Sequence, residues 1–237
     1  MIIIHLSDQM YHTTKKARGG SVKARWIFSF DSLLDRQHDR FGTLTSFSED
    51  TLSPGASLPL HPYNDNEVVT YIADGEFRHL DNKGHNGTLK KGWVQHTTAG
   101  PGMWHSEINN LEDRPLRFVQ MQFSPAHIAL KPHYEQKPVQ KRQRRNKLLA
   151  LVSNRRLGAL KINADTEVFS SFLEKGKELH HAVEKDRGIF IYVLEKGPVR
   201  INGIRMTSLS CAEIVDEPAA VIRADEDAEL LLVDVRL

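Results

Sequence analysis

Apolar residues in this chain recur with a period of two, in short runs that end at glycine, aspartate or proline. That pattern restricts the fold to layered β-structure. Val68-Val69-Thr70-Tyr71-Ile72 is β-branched and aromatic and stops at Asp74-Gly75. The run 117–123 alternates polar and apolar residues and stops at Ser124-Pro125. Gly188-Ile189-Phe190-Ile191-Tyr192-Val193-Leu194 stops at Lys196-Gly197, and Glu229-Leu230-Leu231-Leu232-Val233-Asp234-Val235 lies at the end of the sequence. Many short strands with such punctuation predict a sandwich or barrel. No apolar repeat of helical period extends over about 12 residues; only 32–39 and 124–129 are expected to form a helical turn each.

The 237 residues correspond to one large domain or two small ones. A basic, proline-containing stretch divides them, with Lys137, Pro138, Lys141, Arg142, Arg144, Arg145 and Lys147. It is expected to be a solvated connector rather than a nuclear-targeting or anion-binding patch. The portions on either side echo one another. Tyr71-Ile72-Ala73-Asp74-Gly75 is matched by Tyr192-Val193-Leu194-Glu195-Lys196-Gly197, and 117–123 by 229–235. An internal duplication is the economical reading: an N-terminal barrel over 1–136, a basic linker over 137–147, and a C-terminal barrel over 148–237.

Lys and Arg total 32 against 30 Asp and Glu, a net charge of +2, so bulk charge gives no reason to expect nucleic-acid binding. The single cysteine, Cys211, cannot form an internal disulfide and is read as a small buried apolar group. No apolar run of about 18 residues predicts a membrane span, and Met1–Leu6 is too short for a signal-peptide core. A cytoplasmic protein is the expectation, and its twelve histidines become the informative residues.

In a strand, residues i and i+2 share a face. His61 with Tyr63, and His105 with Glu107, therefore form two same-face pairs. The 43 residues between His61 and His105 provide about three strands, enough to return the chain and set the pairs side by side. Two imidazoles and a carboxylate on one rigid face suit a first-row metal, in particular non-haem Fe(II) with open coordination positions. Gly55, His61, Tyr63 and Glu67, then Gly92, Gly100, Gly102, His105 and Asn109, approximate the two-part cupin signature. Met103 and Trp104 are candidates for an apolar pocket wall or for core. His79, His85 and His96 raise the local histidine density as hydrogen-bonding groups. His180-His181 occupy the corresponding part of the second half, but no His-x-Glu follows near 211–217, so no metal site is read there.

The stretch His61-Pro62-Tyr63-Asn64-Asp65-Asn66-Glu67-Val68-Val69-Thr70-Tyr71 resembles the pirin family, which includes bacterial pirin-like quercetin dioxygenases. The likeness continues through His79-x-Asp81, Gly92-x-x-Gln95 and Thr98-Ala99-Gly100-x-Gly102-x-x-His105-Ser106-Glu107. Trp26-x-Phe28-Ser29-Phe30, Tyr134-Glu135-Gln136 and Ile201-Asn202-Gly203 are further landmarks. The resemblance implies an all-β bicupin, two cupin barrels of double-stranded β-helix type, with iron in the first and usually none in the second. It places the metal ligands on His61, Tyr63, His105 and Glu107. The family has His-Pro-His where this chain has His61-Pro62-Tyr63, and three arrangements stay open. Tyr63 ligates as a phenolate; or water or Glu67 replaces the missing ligand; or the site is weakly loaded.

The resemblance implies Fe(II), or another divalent transition metal, and oxidative ring opening of a flavonol-like substrate. Glu107 would be both ligand and general base. The alternative is a regulatory or redox-sensing pirin-like protein that binds a protein partner, or a binding module whose metal site is degenerate.

Overall fold

The computed structural model describes residues 1–28 and 39–237. The helical turn expected over 32–39 lies, apart from Asp39, outside the described residues, as do Ser29 and Phe30. Among the described residues, helix is confined to two 3-10 turns, Ser7–Gln9 and Lys141–Gln143. No helix among the described residues is long and apolar enough to cross a membrane. The turn expected over 124–129 is instead a series of bends. Ala129 takes a positive φ of 58°, and its N–H is drawn to the Asp65 carboxylate at 2.7 Å; both are incompatible with a helical repeat.

The described residues form two barrels, each a seven-stranded sheet facing a four-stranded one, and the fold is that of a bicupin. In the first barrel the large sheet runs, edge to edge, His133–Lys137, Val94–Thr98, Glu67–Asp74, Leu116–Phe123, Leu44–Leu52, Gly20–Ile27 and Tyr11–Ala17. The small sheet is Ser57–Tyr63, Met103–Asn109, Glu76–Asp81 and Asn86–Lys90. In the second barrel the large sheet is centred on Arg187–Lys196, Ala228–Arg236 and Thr166–Leu173. Its edge strand is Ile2–His5, paired antiparallel with Cys211–Ile214. The start of the chain thus belongs structurally to the C-terminal barrel, which no local sequence pattern announces.

The alternation explains the packing. On Leu116–Phe123, Val119, Met121 and Phe123 join an apolar cluster with Phe47, Phe190, Tyr192, Leu231 and Val233, while Leu116 and Phe118 belong to a separate one. One face of each large sheet therefore covers the other barrel, and the opposite face looks into its own barrel. Phe47 sits 4.8 Å from the Phe190 ring and 4.9 Å from Tyr192, contacts worth about 1 kcal/mol each beyond their buried area. Cys211 is buried in the same inter-barrel core. The interior of the second barrel is mostly apolar, filled by Ile189, Ile191, Val193, Leu230, Leu232 and Ile222 among others, with the buried Asp234 paired to Arg187 and His181. The first barrel is apolar only at one end, around Phe77, Leu89, Leu116 and Phe118.

The echoed tyrosines lock the barrels together reciprocally. Tyr71 of the first donates to Glu229 of the second at 2.8 Å, and Tyr192 of the second donates to Glu49 of the first at 2.9 Å. Each carboxylate also meets an arginine, Arg144 at 2.9 Å and Arg25 at 3.2 Å. The expected solvated connector is therefore anchored at Arg144 and at Val139, both buried. A guanidinium inside a protein needs its counter-ion, and Glu229 supplies it.

Candidate metal centre

Antiparallel pairing sets His61 directly opposite His105. The imidazole Nε2 atoms lie 2.7 Å apart. Glu107 follows on the same face after a register shift between His105 and Glu107. One ligand atom from each of His61, His105 and Glu107 falls within 4.8 Å of the others, the one such His/Cys/Asp/Glu group among the described residues. The side chains converge inside the first barrel, at the end its apolar cluster leaves open.

His61 is held by its Nδ1–H, which donates to the Pro59 carbonyl at 2.9 Å. That bond fixes the tautomer and leaves Nε2 as a lone-pair donor, the form a metal takes. Burial, with the imidazoles of His61 and His79 close by, drives His105 down to about 2, so it is neutral and ready to ligate. Burial pushes Glu107 up to about 7, against the pull of the Gln120 amide. A carboxylate so placed gains from a cation beside it. The donor set therefore fits a divalent first-row metal.

Tyr63 stands in the site beside both imidazoles. Its ring centroid is 4.3 Å from that of His105 and 5.5 Å from that of His61. Its hydroxyl donates to Gln120 Oε1 at 2.9 Å and accepts from Gln122 Nε2 at 3.3 Å. Burial, with Glu107 and Asp50 adding negative charge nearby, raises the phenol well above the usual tyrosine range.

Glu67 is not a substitute ligand. The strand that carries His61 and Tyr63 ends at Tyr63, and Asp65 turns the chain with φ 42°, so Glu67 opens a strand in the opposite sheet. There it is fully buried and accepts hydrogen bonds from Asn163 N at 3.0 Å, Asn163 Nδ2 at 2.9 Å, Ala164 N at 2.6 Å and Thr98 Oγ1 at 3.2 Å. His96 Nε2 is 3.3 Å away. Glu67 joins the barrels and takes no part in the centre.

Other histidines have structural partners. Asp81 bridges His79 and His85 at 2.9 and 2.8 Å, and Tyr134 stacks on both rings. His181 pairs with Asp234 at 2.8 Å, and exposed His180 with Glu178 at 2.7 Å. Met103 is buried and Trp104 is 48% exposed, and neither lines the cavity beside the centre.

That cavity has a volume of about 440 Å³, within the range of small-molecule sites. Val22, Ala24, Trp26, Leu58 and Pro59 give it an apolar wall, and His61, Tyr63, Glu107, Gln120 and Gln122 line its polar end together with Ser48 and Asp50. Ser48 donates to Asp50 at 2.6 Å. Burial raises Asp50 to about 7, with Glu107 and Glu49 adding to it and the Ser48 bond opposing. Sequence reasoning missed Gln120, Gln122, Ser48 and Asp50. The signal lay in parity: Gln120 and Gln122 face the barrel interior, because the other barrel covers the opposite face, where Val119, Met121 and Phe123 pack.

Comparison with known proteins agrees with this architecture. Residues 10–122 match the family described as Pirin, and 149–235 match the one described as Quercetinase C-terminal cupin domain. A pirin-like protein of Caulobacter vibrioides is 36% identical over 217 residues, covering 91% of this chain and 93% of that protein. The quercetin 2,3-dioxygenase of Escherichia coli K12 is 31% identical over 231 residues, 95% of this chain and 99% of the relative. The crystal structure of the bacterial pirin YhhW of Escherichia coli in complex with nickel(II) aligns with a TM-score of 0.91 at 29% identity, over 100% of this chain and 99% of that one. With likeness at this level running through both barrels, the chain belongs to the pirin family.

Proposed function

We propose that this chain is a metal-dependent oxygenase acting on a flavonol-type aromatic substrate, with His61, His105 and Glu107 holding Fe(II) or another divalent first-row metal. The observation that carries this reading is the convergence of those three ligand atoms within 4.8 Å at the end of an apolar-walled cavity. The names of the relatives, and the nickel(II) in the related pirin, support it.

A bound metal supplies Lewis-acid polarisation and a path for electrons. The chain's own groups do the rest. Pro59 holds His61 in its metal-binding tautomer. Burial of His105 keeps its imidazole neutral. Glu107 lies at the cavity wall, where its carboxylate accepts the proton of a substrate hydroxyl. Trp26, Val22 and Leu58 present apolar surface to a planar ring system and keep water from it.

The test is anaerobic loading of the apo-protein with Fe(II), followed by oxygen and quercetin, with loss of the flavonol absorbance recorded. The expected result is turnover that Glu107→Gln abolishes. Loss no faster than with metal alone, in protein shown to carry one metal per chain, would overturn the enzyme reading and leave a binding protein.

A further inference from the structure

The chemistry of an amide assigns a task to Gln120. Its Nε2 donates to Glu107 Oε1 at 2.5 Å, and its Oε1 accepts from the Tyr63 hydroxyl at 2.9 Å. An amide has one donor end and one acceptor end. A carboxylate ligand needs the donor end, so the acceptor end must face Tyr63, and only a hydroxyl that keeps its hydrogen can satisfy it. Flipping the amide would set its carbonyl against the Glu107 carboxylate, acceptor against acceptor. The order continues outward: Gln122 Nε2 donates to the Tyr63 oxygen, and Gln122 Oε1 accepts from Asn66 Nδ2 at 2.7 Å. Asn66, Gln122, Tyr63, Gln120 and Glu107 thus form one directed chain of hydrogen bonds, with every donor pointing towards the metal ligand.

We infer that Gln120 is the positioning residue for Glu107, and that Tyr63 anchors Gln120 instead of serving as a fourth ligand. This rests on the metal-binding reading above and specifies it: the centre has two imidazoles and one carboxylate, with the remaining coordination positions left for substrate and oxygen. Outer partners of this kind typically contribute 10–100-fold to metal affinity. The sequence change from His to Tyr63 is accommodated because Gln120 and Gln122 use both hydrogen-bonding roles of the phenol.

The test is metal titration of the apo-protein, wild type and variants, followed by oxidation of the iron form and a visible spectrum. Gln120→Leu is expected to weaken metal binding by about 10–100-fold, and Tyr63→Phe by less than about tenfold. If Tyr63 acts only through Gln120, Tyr63→Phe adds almost nothing in the Gln120→Leu background. The ferric wild type is expected to lack the intense visible charge-transfer band of an iron-bound tyrosinate. Circular dichroism checks that each variant folds. A tyrosinate band that Tyr63→Phe removes, or a larger loss of affinity in Tyr63→Phe than in Gln120→Leu, would overturn this assignment while leaving the metal reading intact. A wild type that binds no metal would overturn both.

Discussion

Glu67→Gln keeps the size and shape of a fully buried side chain and removes its charge. In the native protein the carboxylate receives two backbone N–H groups and one side-chain amide from 163–164 of the other barrel, plus the Thr98 hydroxyl. Burial alone would raise its pKa. The His96 imidazole and the Asn163 backbone outweigh that and bring it from the usual 4.5 to about 2. At roughly 1.4 kcal/mol per pH unit, the folded anion is favoured by about 3 kcal/mol. Because the folded carboxyl titrates below the unfolded one, this stability is complete above about pH 4.5 and is lost as pH falls towards 2. Glutamine also turns an NH2 towards at least one of those donors, so the substitution gains nothing in return. Urea unfolding should therefore place Glu67→Gln about 3 kcal/mol below wild type at pH 7 and about 1.5 kcal/mol below at pH 3. Equal stability at pH 7, or a gap that does not narrow in acid, would refute the reasoning.

Tyr71→Phe and Tyr192→Phe should each cost about 1–3 kcal/mol, since each leaves a buried glutamate short of a donor; thermal denaturation that is unmoved in both variants would show that the reciprocal bonds do not join the barrels. Metal affinity should fall about tenfold from pH 8 to pH 6, because Glu107 titrates near 7 and must lose its proton to ligate; calorimetric titration showing equal affinity at the two values would count against Glu107 as a ligand. Tyr63→His should tighten metal binding by adding an imidazole on the face shared with His61, and an unchanged affinity in metal titration would show that this position does not reach the ion.

The fold was legible because its cause is local. Alternation and punctuation mark strands whatever they pack against, and the four strongest runs coincide with the observed strands to within a few residues. The duplicated tyrosines Tyr71 and Tyr192 also had a detectable echo, although its meaning, two reciprocal bonds between barrels, depends on how the sheets face one another. The same-face rule brought His61, His105 and Glu107 together because each pair lies within one continuous strand. It failed for Glu67, where the Asn64–Asn66 turn resets the parity and moves the next strand to the opposite sheet. It was not applied to Gln120 and Gln122, because polar residues on an alternating strand ordinarily face solvent. Here a second barrel occupies the outside, and the polar face turns inward to the cavity. The placement of Ile2–His5 and the burial of Arg144 are likewise decided by partners more than a hundred and eighty residues and about eighty residues away along the chain.

The central claim is that three side chains from two neighbouring strands make one metal site. Titration of metal-free protein with Ni(II) and Fe(II), in wild type and in His61→Ala, His105→Ala and Glu107→Ala, measures it directly. One ion per chain in the wild type, and a loss of affinity of at least about a hundredfold in each variant, is the predicted result. Metal bound equally well by all four proteins, or by none of them, would contradict it.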